Sequence, residues 1–211
     1  MNKKLAIYLF VGFFFVTILG SLSHFFFEWS NGNKLVALFC PVNESTWEHM
    51  KLLFFPMLLY TACIIYRFPK NDSILTASLF GNIYGTASIP VFFYTYSGIL
   101  GYNITFIDIS IFYISVFYAF CKVYLIARNY PKNFTNCADT ANSFSIHQNK
   151  AQNTSSAPIK KLFCSIHRFF KSLQAILCRE NIAVGLTFLF IILFFVFAFY
   201  PPNIAIFENP V

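Results

Sequence analysis

Five apolar runs alternate with polar stretches along the chain, at residues 5–27, 47–66, 74–96, 104–127 and 182–200. Each is close to the roughly 20 residues that a helix needs to cross the hydrocarbon of a bilayer. A segment in lipid must satisfy its own backbone groups, so each run is predicted to be helical. The first run is rich in phenylalanine and longer than the apolar core of a signal peptide, about 7–15 residues. It is therefore expected to remain as a span. Pro56 should kink or loosen the second span, Pro90 lies inside the third, and Pro201-Pro202 closes the fifth. The expected fold class is all-α, a polytopic membrane helix bundle of five transmembrane helices.

The pattern changes between the fourth and fifth runs. Residues 129–158 are rich in Asn, Ser, Thr and Gln and poor in large aliphatic side chains. Such a stretch cannot bury enough apolar surface to order itself, so a disordered cytoplasmic insertion is expected. In residues 159–180 Leu, Phe and Ile alternate with basic residues at helical spacing, which predicts an amphipathic helix on the inner leaflet. The chain thus divides into a four-helix membrane region (1–128), the insertion (129–158), the amphipathic helix (159–180), and a fifth span with an outer tail (181–211).

Composition agrees with a lipid-facing surface. Of 211 residues, 57% are hydrophobic and only 11% are charged, against about 25% charged in soluble domains. The net charge of +7 does not form a nucleic-acid-binding stripe, because the basic residues sit between the apolar runs. Topology accounts for them. Lys3, Lys4, Arg67, Lys70 and the eight basic residues from Arg128 to Arg179 fall on one side of a five-span chain, and Lys34 and Lys51 on the other. Cytoplasmic loops carry the excess of Lys and Arg, which places the N-terminus in and the C-terminus out. The six cysteines show no C-x-x-C pair and are expected to be unpaired.

That orientation gathers polar chemistry at the outer face. Residues 41–60, PVNESTWEHMKLLFFPMLLY, run from a dense polar cluster straight into an apolar helix. Ser45-x-x-Glu48 reads as a capping box, with Ser45 accepting from the Glu48 N–H and the Glu48 carboxylate reaching back. A cap explains one carboxylate but not two glutamates beside a histidine. Ser21, His24 and Glu28 share a face of the first helix, at i, i+3 and i+7. Asp108 lies about one turn inside the fourth span, where an unpaired carboxylate is costly and marks a candidate site. The candidate ligand-binding residues are His24, Glu28, Asn43, Glu44, Glu48, His49 and Asp108. The imidazoles and carboxylates among them, His24, Glu44, Glu48, His49 and Asp108, are donors that a divalent metal such as zinc accepts.

The third span carries Ser78, Gly81, Gly85 and Ser88 at helical spacing, including a Gly-x-x-x-Gly that allows close helix approach. This stripe predicts helix packing and offers a face to a membrane protein partner. Asn82 and Tyr84 need partners inside the bundle, and the hydroxyl-bearing Tyr94-Thr95-Tyr96 rims the outer end.

The run His24…Glu28-Trp29-Ser30…Asn33…Pro41-Val42-Asn43-Glu44-Ser45-x-Trp47-Glu48-His49-x-Lys51 resembles the signature of an uncharacterised family of small integral-membrane proteins, a domain of unknown function found mostly in clostridia and other Firmicutes. Phe93-Tyr94-Thr95-Tyr96-x-Gly98, Asp108 and Pro201-Pro202…Phe207…Pro210 are similar to that family too, while Asn209 departs from it where an aspartate is expected. The resemblance implies a multi-pass protein of a bacterial plasma membrane and no particular activity. Three functions fit the residues: an outer-face site that binds a cation or polar ligand, a membrane-embedded metal-dependent hydrolase acting on a lipid or headgroup, and a structural component of a membrane assembly. The hydrolase reading lacks an H-E-x-x-H or Ser/His/Asp spacing.

Overall fold

The computed structural model describes residues 3–67, 72–129 and 179–209. Among them are six α-helices and no strand: α1 (Lys3–Trp29), α2 (Lys34–Phe39), α3 (Thr46–Arg67), α4 (Asp72–Leu100), α5 (Thr105–Asn129) and α6 (Arg179–Phe197), with a 3-10 turn at Ala205–Phe207. Five of the helices follow the five apolar runs to within a few residues, and α2 is an addition. The bundle described below is built from the described residues of 1–129 and 183–211. The expected insertion after Asn129 and the expected amphipathic helix lie outside the described residues, except that Arg179 and Glu180 open α6.

Ser30, Asn31, Gly32 and Asn33 turn the chain at the end of α1. Asn31 and Gly32 take positive φ, 53° and 72°. The N–H of Gly32 then bonds Phe27 O at 3.1 Å and that of Asn31 bonds Glu28 O at 3.0 Å, which satisfies the last carbonyls of α1. Asn33 immediately caps α2, its Oδ1 accepting from the Leu35 N–H at 2.9 Å. A second stop lies at Gly101 (φ 77°), which reverses the chain between α4 and α5.

Helices α1, α3, α4 and α5 pack together, with α4 against both α3 and α5, and α1 against α3 and α5. Close approach is set by glycines. A Cβ on Gly81 would stand 2.4 Å from Val123 Cγ2, and one on Gly85 would stand 2.5 Å from Ala119 Cβ. The face that the sequence offers to a partner helix is thus filled by α5 of the same chain. At Gly20, a Cβ would lie 2.5 Å from the Leu52 carbonyl oxygen. Proline at 56 has no N–H to give that carbonyl, four residues earlier in α3. Buried Asn82 ties α4 to α3 through Nδ2, which donates to Phe54 O at 3.1 Å. On the other side of α3, α6 packs through rings: Phe194 meets Trp47 at 4.9 Å and Phe54 at 5.1 Å between centroids. The 3-10 turn adds Phe207, 5.0 Å from Trp47.

Among the described residues, four helical stretches are long and apolar enough to cross a membrane: Leu5–Trp29, Thr46–Arg67, Thr105–Asn129 and Glu180–Phe197. Their outward faces carry exposed large apolar side chains, such as Phe10 and Ile18 on α1, Ile114 and Phe117 on α5, and Phe188 and Ile192 on α6. This is compatible with a multi-pass membrane protein. Helix α4 has the length, at 29 residues. Ser, Thr, Asn and Gly residues interrupt its apolar run, and Thr76, Ser78, Asn82 and Thr86 among them are buried in the bundle.

Candidate functional site

The site sits where α1 ends and α3 begins. Asn43 Oδ1 accepts from the Ser45 N–H at 3.0 Å, and Ser45 Oγ accepts from the Glu48 N–H at 3.3 Å. These two bonds start α3 and leave Glu44 just outside it. The reciprocal half of the expected capping box is absent. The Glu48 carboxylate instead accepts from the Val42 N–H at 3.0 Å and from Lys51 Nζ at 2.7 Å.

Glu44 and Glu48 are therefore separated. Glu44 Oε2 lies 3.4 Å from His24 Nε2 and 3.4 Å from His49 Nε2. The two imidazole rings stand 5.6 Å apart between centroids. One ligand atom from each of His24, Glu44 and His49 fits within a 4.8 Å circle of mutual distances. In a tetrahedral zinc site with bonds of about 2.0–2.1 Å, ligand atoms stand about 3.3 Å apart. The two His–Glu separations match that edge length.

The orientation of His49 sharpens the chemistry. Its Nδ1 lies 2.9 Å from Ser45 O. A carbonyl only accepts, so Nδ1 carries the donated proton. In the neutral ring, Nε2 then presents a lone pair, and it faces a carboxylate oxygen. Two acceptors at 3.4 Å repel unless a proton or a metal cation lies between them. A backbone carbonyl that fixes the tautomer of a ligand histidine is the usual outer support of a metal site.

A cavity of about 640 Å³ opens beside this group. Its polar lining includes Ser21, His24, Glu44, His49 and Asp108, and its apolar walls include Leu52, Ile89, Phe93, Ile109 and Phe112. Asp108 is oriented by the Tyr96 hydroxyl, which donates to Asp108 Oδ1 and accepts from the Ile104 N–H at 3.3 Å. Tyr96 belongs to the hydroxyl-bearing rim that the sequence puts at the outer end of α4, and its partner lies on the next helix, across the turn at Gly101.

The structure thus brings together His24, Glu44 and His49, with Asp108 on the same cavity. Asn43 shapes the turn through its side chain, and its carboxamide is outside the three-ligand group. Glu28 is exposed and outside the cavity lining. Glu48 is buried against Lys51, whose Nζ also donates to Ala37 O at 3.0 Å. Those two residues clamp α2 and the loop that carries Glu44 onto α3. The sequence signal for that diversion is Lys51 itself, one helical turn after Glu48. Cys40 lies near the same clamp. Burial pushes its thiol above the ordinary range, with Lys51 acting the other way, so thiolate is scarce at neutral pH. Among the described residues, Cys40, Cys63 and Cys121 are free.

A family model described as a family of unknown function, DUF6512, matches residues 1–141. All three residues of the His/Glu/His group, and Asp108, fall within the matched region. No curated protein and no solved structure matches the chain.

Proposed function

We propose that this chain, which belongs to the DUF6512 family of unknown function, is a five-span membrane protein that holds a divalent transition-metal cation at its outer face. The fitting ion is zinc, bound by His24, Glu44 and His49. The observation that carries this reading is His49 Nε2, whose lone pair faces the Glu44 carboxylate while Nδ1 is committed to Ser45 O. Zinc would place a positive charge between those acceptors, with His24, Glu44 and His49 as its protein ligands. Purified full-length protein should bind about one zinc per chain, measured by elemental mass spectrometry after dialysis. His49→Ala, His24→Ala and Glu44→Gln should each weaken zinc binding at least about 100-fold, more than loss of an outer-shell partner does. Glu28→Gln should not change it. Full zinc occupancy in His49→Ala, or none in the parent chain, defeats the reading.

The Lys/Arg asymmetry supports the five-span topology with the N-terminus in and the C-terminus out. Lys51 strengthens it, because that cation is neutralised within the bundle by Glu48 and exposes no free charge on the outer side. A reporter fused after residue 70 should be cytoplasmic, and one fused after Val211 should be external. A C-terminal reporter that is active only in the cytoplasm rules the topology out.

Asp108 favours a second reading, metal-assisted hydrolysis. It is a carboxylate on the same cavity and outside the three-residue group, and it would be the proton acceptor if a metal held by His24, Glu44 and His49 activated water there. In that chemistry, water adds to an ester carbonyl, the ester C–O bond breaks, and the departing alcohol leaves with the proton held at Asp108.

A further inference from the structure

The cavity beside the cation site reaches the outer flank of the bundle. On α5, Phe106, Ile109, Tyr113 and Phe117 form an exposed stripe at i, i+3, i+7 and i+11. Two of these, Ile109 and Tyr113, also line the cavity. Across the mouth, α1 contributes Phe25, which is both exposed and part of the lining. Deeper in, the gap is closed, because α1 meets Phe112 of α5 at Gly20. The opening therefore lies between the outer ends of α1 and α5, on the face that the apolar surface assigns to lipid. Its inner end is polar and its walls are apolar. A volume of about 640 Å³ falls in the roughly 300–1,000 Å³ range of ligand pockets.

We propose that this cavity is loaded from the bilayer by a glycerophospholipid. Its phosphate meets the cation held by His24, Glu44 and His49, a headgroup hydroxyl donates to Asp108, and the chains leave between α1 and α5 along Phe25, Ile109 and Tyr113. The proposal rests on the cation reading and names the ligand class of that site. Charge supports a phosphate over a cationic headgroup. With a divalent cation in place the ligand group carries a net positive charge beside Glu44, and an anionic oxygen completes it. A small hydrophilic anion such as free phosphate has no apolar surface to place against the Phe93, Ile109 and Phe112 walls, whereas a lipid chain stays in apolar surroundings as it enters.

The test uses the zinc-loaded full-length chain in phosphatidylcholine nanodiscs that contain a phosphatidylglycerol with a diazirine near the top of one chain. Photolysis followed by peptide mass spectrometry should label Phe25, Phe93 and Ile109 saturably. Phe188 and Ile192 on exposed α6 serve as the bulk-lipid reference and should rise in proportion to the probe. Ile109→Trp, at an exposed position, should cut cavity labelling about tenfold, the effect of losing about 1.4 kcal/mol of contact, and should keep one zinc per chain. Ser21→Trp on the opposite wall should act in the same way, and retained zinc shows that each variant is folded. His49→Ala should also reduce the labelling. Cavity labelling that rises in step with Phe188, or that survives both tryptophan variants, overturns the proposal and leaves the zinc result intact. Full displacement of the probe by glycerol 3-phosphate overturns it as well, because the headgroup alone then suffices. Loss of zinc binding in the parent chain, by contrast, removes the cation reading itself.

Discussion

Lys51→Ala is expected to cost about 3–5 kcal/mol of stability, the range for breaking a buried ion pair by removing one partner. Lys51 is 0% exposed and Glu48 3%. Removing the ammonium leaves a carboxylate in an apolar bundle with the Val42 N–H as its donor, and leaves Ala37 O without its 3.0 Å bond. The loop that carries Glu44 hangs from that carboxylate, so zinc affinity should fall together with stability. The measurement is unfolding in detergent, followed by circular dichroism, for Lys51→Ala, and for Lys51→Met, Glu48→Leu and their double variant. The double variant should be less damaged than the sum of the two, because neither charge is left alone. If Lys51→Ala stays within about 1 kcal/mol of the parent, well below the buried-pair range, the clamp is not what holds this end of the bundle.

The second large effect concerns the α4–α5 contact. Gly81→Leu should destabilise the bundle by more than the roughly 1–3 kcal/mol typical of overpacking. Its Cβ alone would meet Val123 Cγ2 at 2.4 Å and the Ala119 carbonyl oxygen at 2.9 Å, and a backbone carbonyl on a packed helix cannot swing aside. Parting α4 from α5 also separates Tyr96 from Asp108, so the cavity should lose its shape along with the bundle. Gly98→Ala is the control on the same helix. A Cβ there meets nothing within 4 Å, and replacing a helical glycine should leave the midpoint unchanged or raise it by about 0.5–1 kcal/mol. Equal midpoints for Gly81→Leu and the parent would show that α5 is not seated on this stripe.

Helix positions were legible in the sequence because each apolar run carries its own reason to be helical. The run at 47–66 became Thr46–Arg67, and that at 104–127 became Thr105–Asn129. Gly81-x-x-x-Gly85 announced a close helix contact, although the spacing does not say which helix fills it. The three-ligand group was half legible. The residue types at 24, 44 and 49 pointed to a metal, and Ser21 and His24 do share a face that lines the cavity. Glu28 shares the same helical spacing and is left exposed, because α1 turns at Asn31-Gly32 before anything covers it.

What the sequence determined alone is local: the long helices, the cap at Ser45, and the asymmetry of basic charge. Each depends on residues within a few positions of one another. Tertiary structure decided which glutamate does what. Glu44 and Glu48 stand four residues apart in the same motif, but Glu44 reaches α1 while Glu48 is drawn to Lys51, Val42 and, through the lysine, Ala37 of α2. It also decided that Asp108 is held by Tyr96 and that apolar walls from α4 and α5 close around the histidines. A carboxylate goes to the cation that burial makes indispensable, and which cation is buried depends on how helices distant in sequence pack.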